Sequence, residues 1–140
     1  MKIKAALKNQ VKHRAKGCCE YCWSQHEFSP DSFVVEHIIP SSKGGTSEAD
    51  NLAYSCQGCN NHKYNHTRSL DIITGELSPL FNPRKDIWSE HFRWNEDYSE
   101  IIGVSPTGRA TVDRLDVNRE GVKNLRVALY LISLHPPFLR

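Results

Sequence analysis

Two Cys-x-x-Cys pairs, Cys19 with Cys22 and Cys56 with Cys59, bracket a stretch that holds Glu36-His37, Pro40, Gly44-Gly45 and Asn51, and Asn60 follows the last cysteine directly. Four thiolates are the soft, tetrahedral set that fills a structural zinc site and leaves no coordination position open for chemistry. The zinc is therefore expected to hold the fold. What remains in the bracket is a carboxylate, an imidazole and two carboxamides, the groups that one hard metal ion and one general base require. Hydrolysis of a phosphodiester needs a deprotonated water in line with the scissile bond and a counter-charge for the phosphate and the departing oxygen. His37 is the candidate base, because imidazole titrates near neutrality. Glu36 and Asn60 offer hard oxygen ligands that come together if the zinc joins the two knuckles, and Mg²⁺ or Mn²⁺ suits a site with so few protein oxygens. Adjacent residues of an ideal strand face opposite ways, so a site shared by Glu36 and His37 calls for irregular backbone, which the Pro40 and Gly44-Gly45 loop can supply.

At this spacing, residues 17 to 66 resemble the HNH endonucleases, whose ββα-metal motif reads Cys-x-x-Cys, Asp-His-x-x-Pro, Gly-Gly, Asn-Leu and Cys-x-x-Cys-Asn-x-x-Lys. The resemblance implies structural zinc on Cys19, Cys22, Cys56 and Cys59, a general base at His37, a bracing asparagine at Asn51, a catalytic-metal ligand at Asn60 and a phosphate contact at Lys63. It also implies products with 5′-phosphate and 3′-hydroxyl ends. Two positions depart from the motif: Glu36 stands where Asp is usual, and Asn60 where the third letter is often His. His62 lies two residues on, about 200° around a helix, so the two are not expected to reach one ion together. The stretch from Leu80 through Arg109 is similar to the tail of a group of small bacterial proteins with this motif, but suggests no chemistry of its own.

The elements that must position these residues read as an α+β fold. Residues 2 to 16 lack Pro and Gly and place Ile3, Leu7 and Val11 at helical spacing, which predicts a basic amphipathic helix stopped by Gly17. Phe33 to His37 has strand composition, Leu52 to Ser55 suits a short return strand, and Gln57 to about Thr67 a helix opening in the second knuckle. Trp23 should shield the first knuckle. Farther on, a hairpin is expected around Thr74-Gly75, and an antiparallel pair from His91–Trp94 and Ser99–Ile102. Ser105-Pro106 should open a helix through about Leu115. Asn118 should cap a last helix with Val122, Leu125, Leu129 and Ile132 on one face, apolar enough to pack internally or to form a dimer seam. The expected organisation is residues 1–70 as the nuclease-like motif with its basic helix, and 71–140 as an extension packed on it. Cys18 is expected to be a bystander, His62 and His66 solvated or facing nucleic acid, and Trp88, His91, Phe92 and Trp94 core.

A net charge of +2 is too small to argue for nucleic acid by itself, but Lys2, Lys4, Lys8, Lys12, Arg14 and Lys16 all precede the first acidic residue, Glu20. Such a one-sign segment can follow a phosphate backbone, and Lys8 and Lys12 join Lys63 as expected DNA contacts. No apolar run approaches the roughly 20 residues that span a bilayer, so no membrane partner is expected. Cysteines in metal spacing and a start without an export signal suggest the cytoplasm. The expectation is a metal-dependent DNA endonuclease. Its rivals are a noncatalytic zinc-ribbon module that binds DNA through the first helix, and an RNA-directed or toxin-like nuclease sharing the same site. Recognition sequence and oligomeric state are not encoded in any motif of the chain.

Overall fold

The structure, a computed structural model, describes residues 3–137; Lys2 of the basic run lies outside them. Helix α1 (Ala5–Arg14) opens the chain. Its Val11, with Ile3 before it and Ala15 after, is buried against Leu52 and Tyr54, with Leu7 at the edge of the same cluster. The apolar spacing thus seats the helix while its lysines stay outside. Arg14 fastens the end, its guanidinium donating to the Ala49 and Leu52 carbonyls at 2.9 and 2.7 Å.

Strand β1 (Val34–His37) and β2 (Leu52–Ser55) pair antiparallel, with Glu36 opposite Ala53 and His37 opposite Leu52. Helix α2 (Gln57–Lys63) follows at once, its N-terminus capped by Cys56 Sγ, which accepts from the Cys59 amide at 3.4 Å. This is the expected ββα order. The helix ends four residues earlier than predicted, because Tyr64 turns out of it at φ 49° and ψ −123°.

Beyond α2 come the hairpin β3 (Arg68–Asp71) and β4 (Glu76–Pro79), the single turn α3 (Trp88–His91), the pair β5 (Phe92–Trp94) and β6 (Ile101–Gly103), and helices α4 (Pro106–Leu115) and α5 (Glu120–Leu131). Ser105 caps α4 as predicted, accepting from the Gly108 amide at 2.9 Å. Three details differ. His91 belongs to α3, with Nδ1 2.7 Å from Ser105 Oγ, rather than to a strand. Ile132 lies past the end of α5 and is exposed. Asn118 does not cap α5 but clamps Ile101, whose amide it accepts at 2.8 Å and to whose carbonyl it donates at 2.9 Å. A clamp that satisfies both backbone groups of a strand end outweighs one capping bond.

One buried cluster runs through both halves of the chain, from the four zinc-spaced cysteines to Phe81, Phe92, Ile101, Leu115 and Val117, with Trp23, Trp88 and Trp94 packed on it. Those aromatics are core, as expected. A buried carboxylate pins the hairpin to α4: Arg109 donates from Nε and Nη2 to the two Asp71 oxygens at 2.8 and 3.0 Å. The Arg109 bonds hold the Asp71 carboxyl well below the usual carboxylate range. The stability it supplies is therefore complete above the unfolded carboxylate's pKa of about 4, and is lost as pH falls through that value toward the lower folded one. Asp71→Asn should lower the urea midpoint at pH 7 and narrow the difference from the parent at pH 3; equal midpoints at pH 7 would show that the pair is dispensable.

Candidate active site

The zinc-spaced cysteines meet. Their four sulfurs all lie within 4.8 Å of one another and are buried, and the Cys22 and Cys56 sulfurs are 3.6 Å apart. Zn–S bonds of about 2.3 Å at tetrahedral angles give an edge of about 3.8 Å, so the set fits zinc. Cys18 stays out of it, its thiol 3.6 Å from the Lys16 carbonyl. Sequence reasoning missed what surrounds the thiolates. Arg119, just ahead of α5, donates to Cys56 Sγ at 3.1 Å and Cys59 Sγ at 3.6 Å. Arg126, inside α5, donates to the Cys22 carbonyl at 3.1 Å. Four thiolates around one Zn²⁺ leave a net charge of −2, and the Arg119 guanidinium offsets part of it. Gly58 makes this approach possible, since a Cβ there would lie 2.4 Å from the Arg119 guanidinium.

His37, Glu36 and Asn60 border one shallow cleft of about 320 Å³, together with Val34, Val35, Pro40, Ser41 and Tyr64. Four consecutive residues of β1 line it, as they would where a recess follows the edge of a strand rather than one face. The alternation persists, for β1 keeps regular pairing through His37, and the Glu36 side chain turns inward to Tyr21 and Lys63 instead of sharing a face with the imidazole. The irregular backbone comes after the strand. Asn51 braces it, accepting the Ile39 amide at 3.0 Å and donating to the Ile39 and Thr46 carbonyls at 3.0 and 2.7 Å. Gly45 is needed here because a Cβ would lie 1.7 Å from the Ile39 carbonyl oxygen.

The loop so held carries Ser47, whose Oγ lies 2.8 Å from His37 Nε2. With Nε2–H donated to that hydroxyl, Nδ1 carries the lone pair that can take a proton. Burial, with a smaller contribution from the Lys63 charge, lowers the His37 pKa from its ordinary value, which favours the neutral ring that a base requires. Ser47 was invisible in sequence, because only the Asn51 brace brings it across to the histidine.

Lys63 corrects an expectation. It is 1 % exposed, and its ammonium donates to Glu36 Oε2 at 3.1 Å and to the Ile38 carbonyl at 2.9 Å. It cannot serve as a surface phosphate contact. Its place on the last turn of α2 points it under the loop after β1, where Glu36 waits. Glu36 Oε1 in turn accepts the Tyr21 hydroxyl. Burial pushes the Glu36 pKa up, against the Lys63 and Tyr21 contacts that pull it down. Each Glu36 oxygen thus already accepts one bond and keeps a second lone pair.

Lys8 and Lys12 are exposed on α1 and line a second groove of about 680 Å³ with His26, Phe33 and Tyr54. Val34 and Val35 border both recesses, so the lysine-lined groove and the cleft of His37 are neighbours along β1. His62 is exposed, its Nδ1 2.7 Å from the Gly58 carbonyl and its Nε2 3.8 Å from the Asp116 carboxylate.

Compared with known families, residues 19–66 match the HNH endonuclease family. The chain carries an HNH domain. The domain begins at the first zinc cysteine and runs past α2, covering the ββα unit, Asn51 and the cleft residues. The match over these residues suggests a function on nucleic acid, by cleavage or by binding. No curated protein and no solved structure matches the chain. No helix among the described residues is long and apolar enough to cross a membrane.

Arg119→Leu should leave the fold intact but speed zinc release to a chromogenic chelator by about tenfold or more, as removal of an outer-shell partner does; unchanged release would remove Arg119 from the zinc environment. Lys63→Met leaves Glu36 without its buried counter-charge and should cost about 3 to 5 kcal/mol of stability, read by urea unfolding of the zinc-loaded protein. A neutral result would mean that the pair does not hold the cleft.

Proposed function

We propose that the protein is a metal-dependent DNA endonuclease. The observation that carries this reading is an open cleft bordered by His37, oriented through Ser47, and by Asn60, with the Glu36 carboxylate buried beside it. Asn60 offers an oxygen ligand at the cleft and the Glu36 carboxylate keeps a second lone pair on each oxygen, a hard set that fits Mg²⁺ or Mn²⁺ better than a softer ion. No other cluster of three or more His, Cys, Asp or Glu besides the zinc set gathers among the described residues. Two protein oxygens suffice for such an ion, which keeps waters in its remaining positions. Bound between Glu36 and Asn60, it would supply Lewis-acid stabilisation of the phosphate and of the departing 3′ oxygen.

The remaining steps belong to this chain's residues. His37 takes a proton from the attacking water at Nδ1, while Ser47 fixes the ring through Nε2. The hydroxide attacks phosphorus in line, the bond to the 3′ oxygen breaks, and the products carry 5′-phosphate and 3′-hydroxyl ends. Lys63 and Tyr21 hold the Glu36 carboxylate in position. Lys8 and Lys12 steer the strand along the groove that neighbours the cleft.

Supercoiled plasmid incubated with the zinc-loaded protein should be nicked with Mg²⁺ or Mn²⁺ and left intact without either. His37→Ala should keep zinc content and DNA affinity and lower the rate by about 10² or more, the typical worth of general-base assistance. Asn60→Ala should raise the Mg²⁺ concentration needed for half-maximal cleavage. Binding without cleavage under any divalent ion would make the protein a zinc-ribbon binding module instead. In a second measurement, Lys8→Gln with Lys12→Gln should flatten the dependence of log K on log salt by about one unit for each phosphate no longer neutralised; an unchanged slope would put the binding face elsewhere.

A further inference from the structure

Tyr64 stands where α2 ends, on the border of the cleft that holds His37 and Asn60. Its side chain is 73 % exposed. An exposed aromatic is ordinary taken singly. This one sits at φ 49° and ψ −123°, a conformation that suits glycine and strains any side chain with a Cβ. The backbone around it is fastened, with the Tyr64 amide donating to the Asn60 carbonyl at 2.9 Å and the His66 amide to the Lys63 carbonyl at 3.0 Å. Among the rings of the described residues it meets only the edge of His66, 6.5 Å away between centroids. Strain is thus spent on a side chain that contributes almost nothing to the core, at the rim of the reacting site.

The surroundings are cationic. His66 lies close enough to Arg114, Lys43 and Lys63 that, after burial, their charges depress its pKa. Arg114 and Lys43 are exposed. Both charges act on His66, the ring beside Tyr64. A solvent-facing aromatic among exposed cations is the arrangement by which proteins hold an unpaired base and its flanking phosphates.

From the rim position, exposure and strained backbone of Tyr64, we infer that its ring stacks on an unpaired nucleobase next to the scissile phosphate, and that the preferred substrate is DNA with an unstacked base there. This rests on the nuclease reading and specifies its substrate. In a continuous duplex both faces of each base are already covered, so Tyr64 gains its partner only at a bulge, a mismatch or in a single strand. Lys43 and Arg114 would hold the flanking phosphates. Tyr64 is a positioning residue and moves no proton.

The test uses end-labelled oligonucleotides of one sequence, presented as a perfect duplex, as the same duplex with a one-base bulge, and as a single strand, cleaved by the zinc-loaded protein with Mn²⁺. The parent should cleave the bulged and single-stranded forms with kcat/KM higher than for the duplex by about 5- to 150-fold, the range of base–aromatic stacking. Tyr64→Ala should erase that preference through KM, leaving duplex cleavage little altered, and Tyr64→Phe, which keeps the ring, should restore it. Tyr64→Gly should lose the preference while melting at or above the parent's Tm, because the strain goes with the side chain. Parent cleavage with no preference, a preference that survives Tyr64→Ala, or a Tm lowered by several degrees in Tyr64→Gly would each overturn the inference. A parent inactive on all three forms would instead overturn the nuclease reading.

Discussion

Four sulfurs held within 4.8 Å of one another join chain segments more than thirty residues apart in sequence, and every functional group of the cleft is placed relative to that junction. Cys19 and Cys22 anchor the knuckle before β1, while Cys56 and Cys59 anchor the start of α2. Without that staple, nothing as short as two four-residue strands and a seven-residue helix would stay assembled, because isolated elements of this size are marginal in water. Structural zinc in small peptides is worth about 10 to 16 kcal/mol of apparent binding energy, more than the net stability of most domains. The extension reinforces the staple through Arg119, so the second half of the chain neutralises a charge that the first half creates.

A second constraint is the buried ion pair of Lys63 with Glu36. Two charges out of water are costly to bury, and neither could be there without the other and without the Tyr21 hydroxyl and Ile38 carbonyl that complete their bonds. The pair ties the end of α2 to the strand that carries His37. Asn51 holds the loop after that strand from the side. The shape of the cleft thus rests on polar groups buried around it.

The surface carries a different division. On one side, Lys8 and Lys12 line a long groove, supported by an apolar seam of Ile3, Leu7 and Val11 that keeps α1 in place. Elsewhere, Lys43 and Arg114 are exposed and their charges act on His66, which neighbours the strained Tyr64. With net charge only +2, attraction for a polyanion comes from this placement rather than from the total.

What the sequence determined by itself was everything set by residue type and local spacing. The two Cys-x-x-Cys pairs, the ββα order and the Ser105-Pro106 start of α4 were readable, because ligand chemistry, strand composition and capping act within a few residues, whereas the brace at Asn51 was implied only by the family resemblance. Tertiary structure decided whatever depended on where a helix turn aimed its side chain or how two loops met. Lys63 reads as a surface lysine until the packing of α2 against β1 buries it beside Glu36. Ser47 reads as a loop serine until the Asn51 brace swings it onto His37. Asn118 has the type and position of a helix cap, yet the backbone of Ile101 came within reach and took its side chain. Arg119 meets the zinc thiolates across some sixty residues of intervening chain. Burial, partner choice and charge compensation are properties of three-dimensional neighbourhoods, and a one-dimensional pattern carries them only where the neighbours lie within a turn or two of the same element.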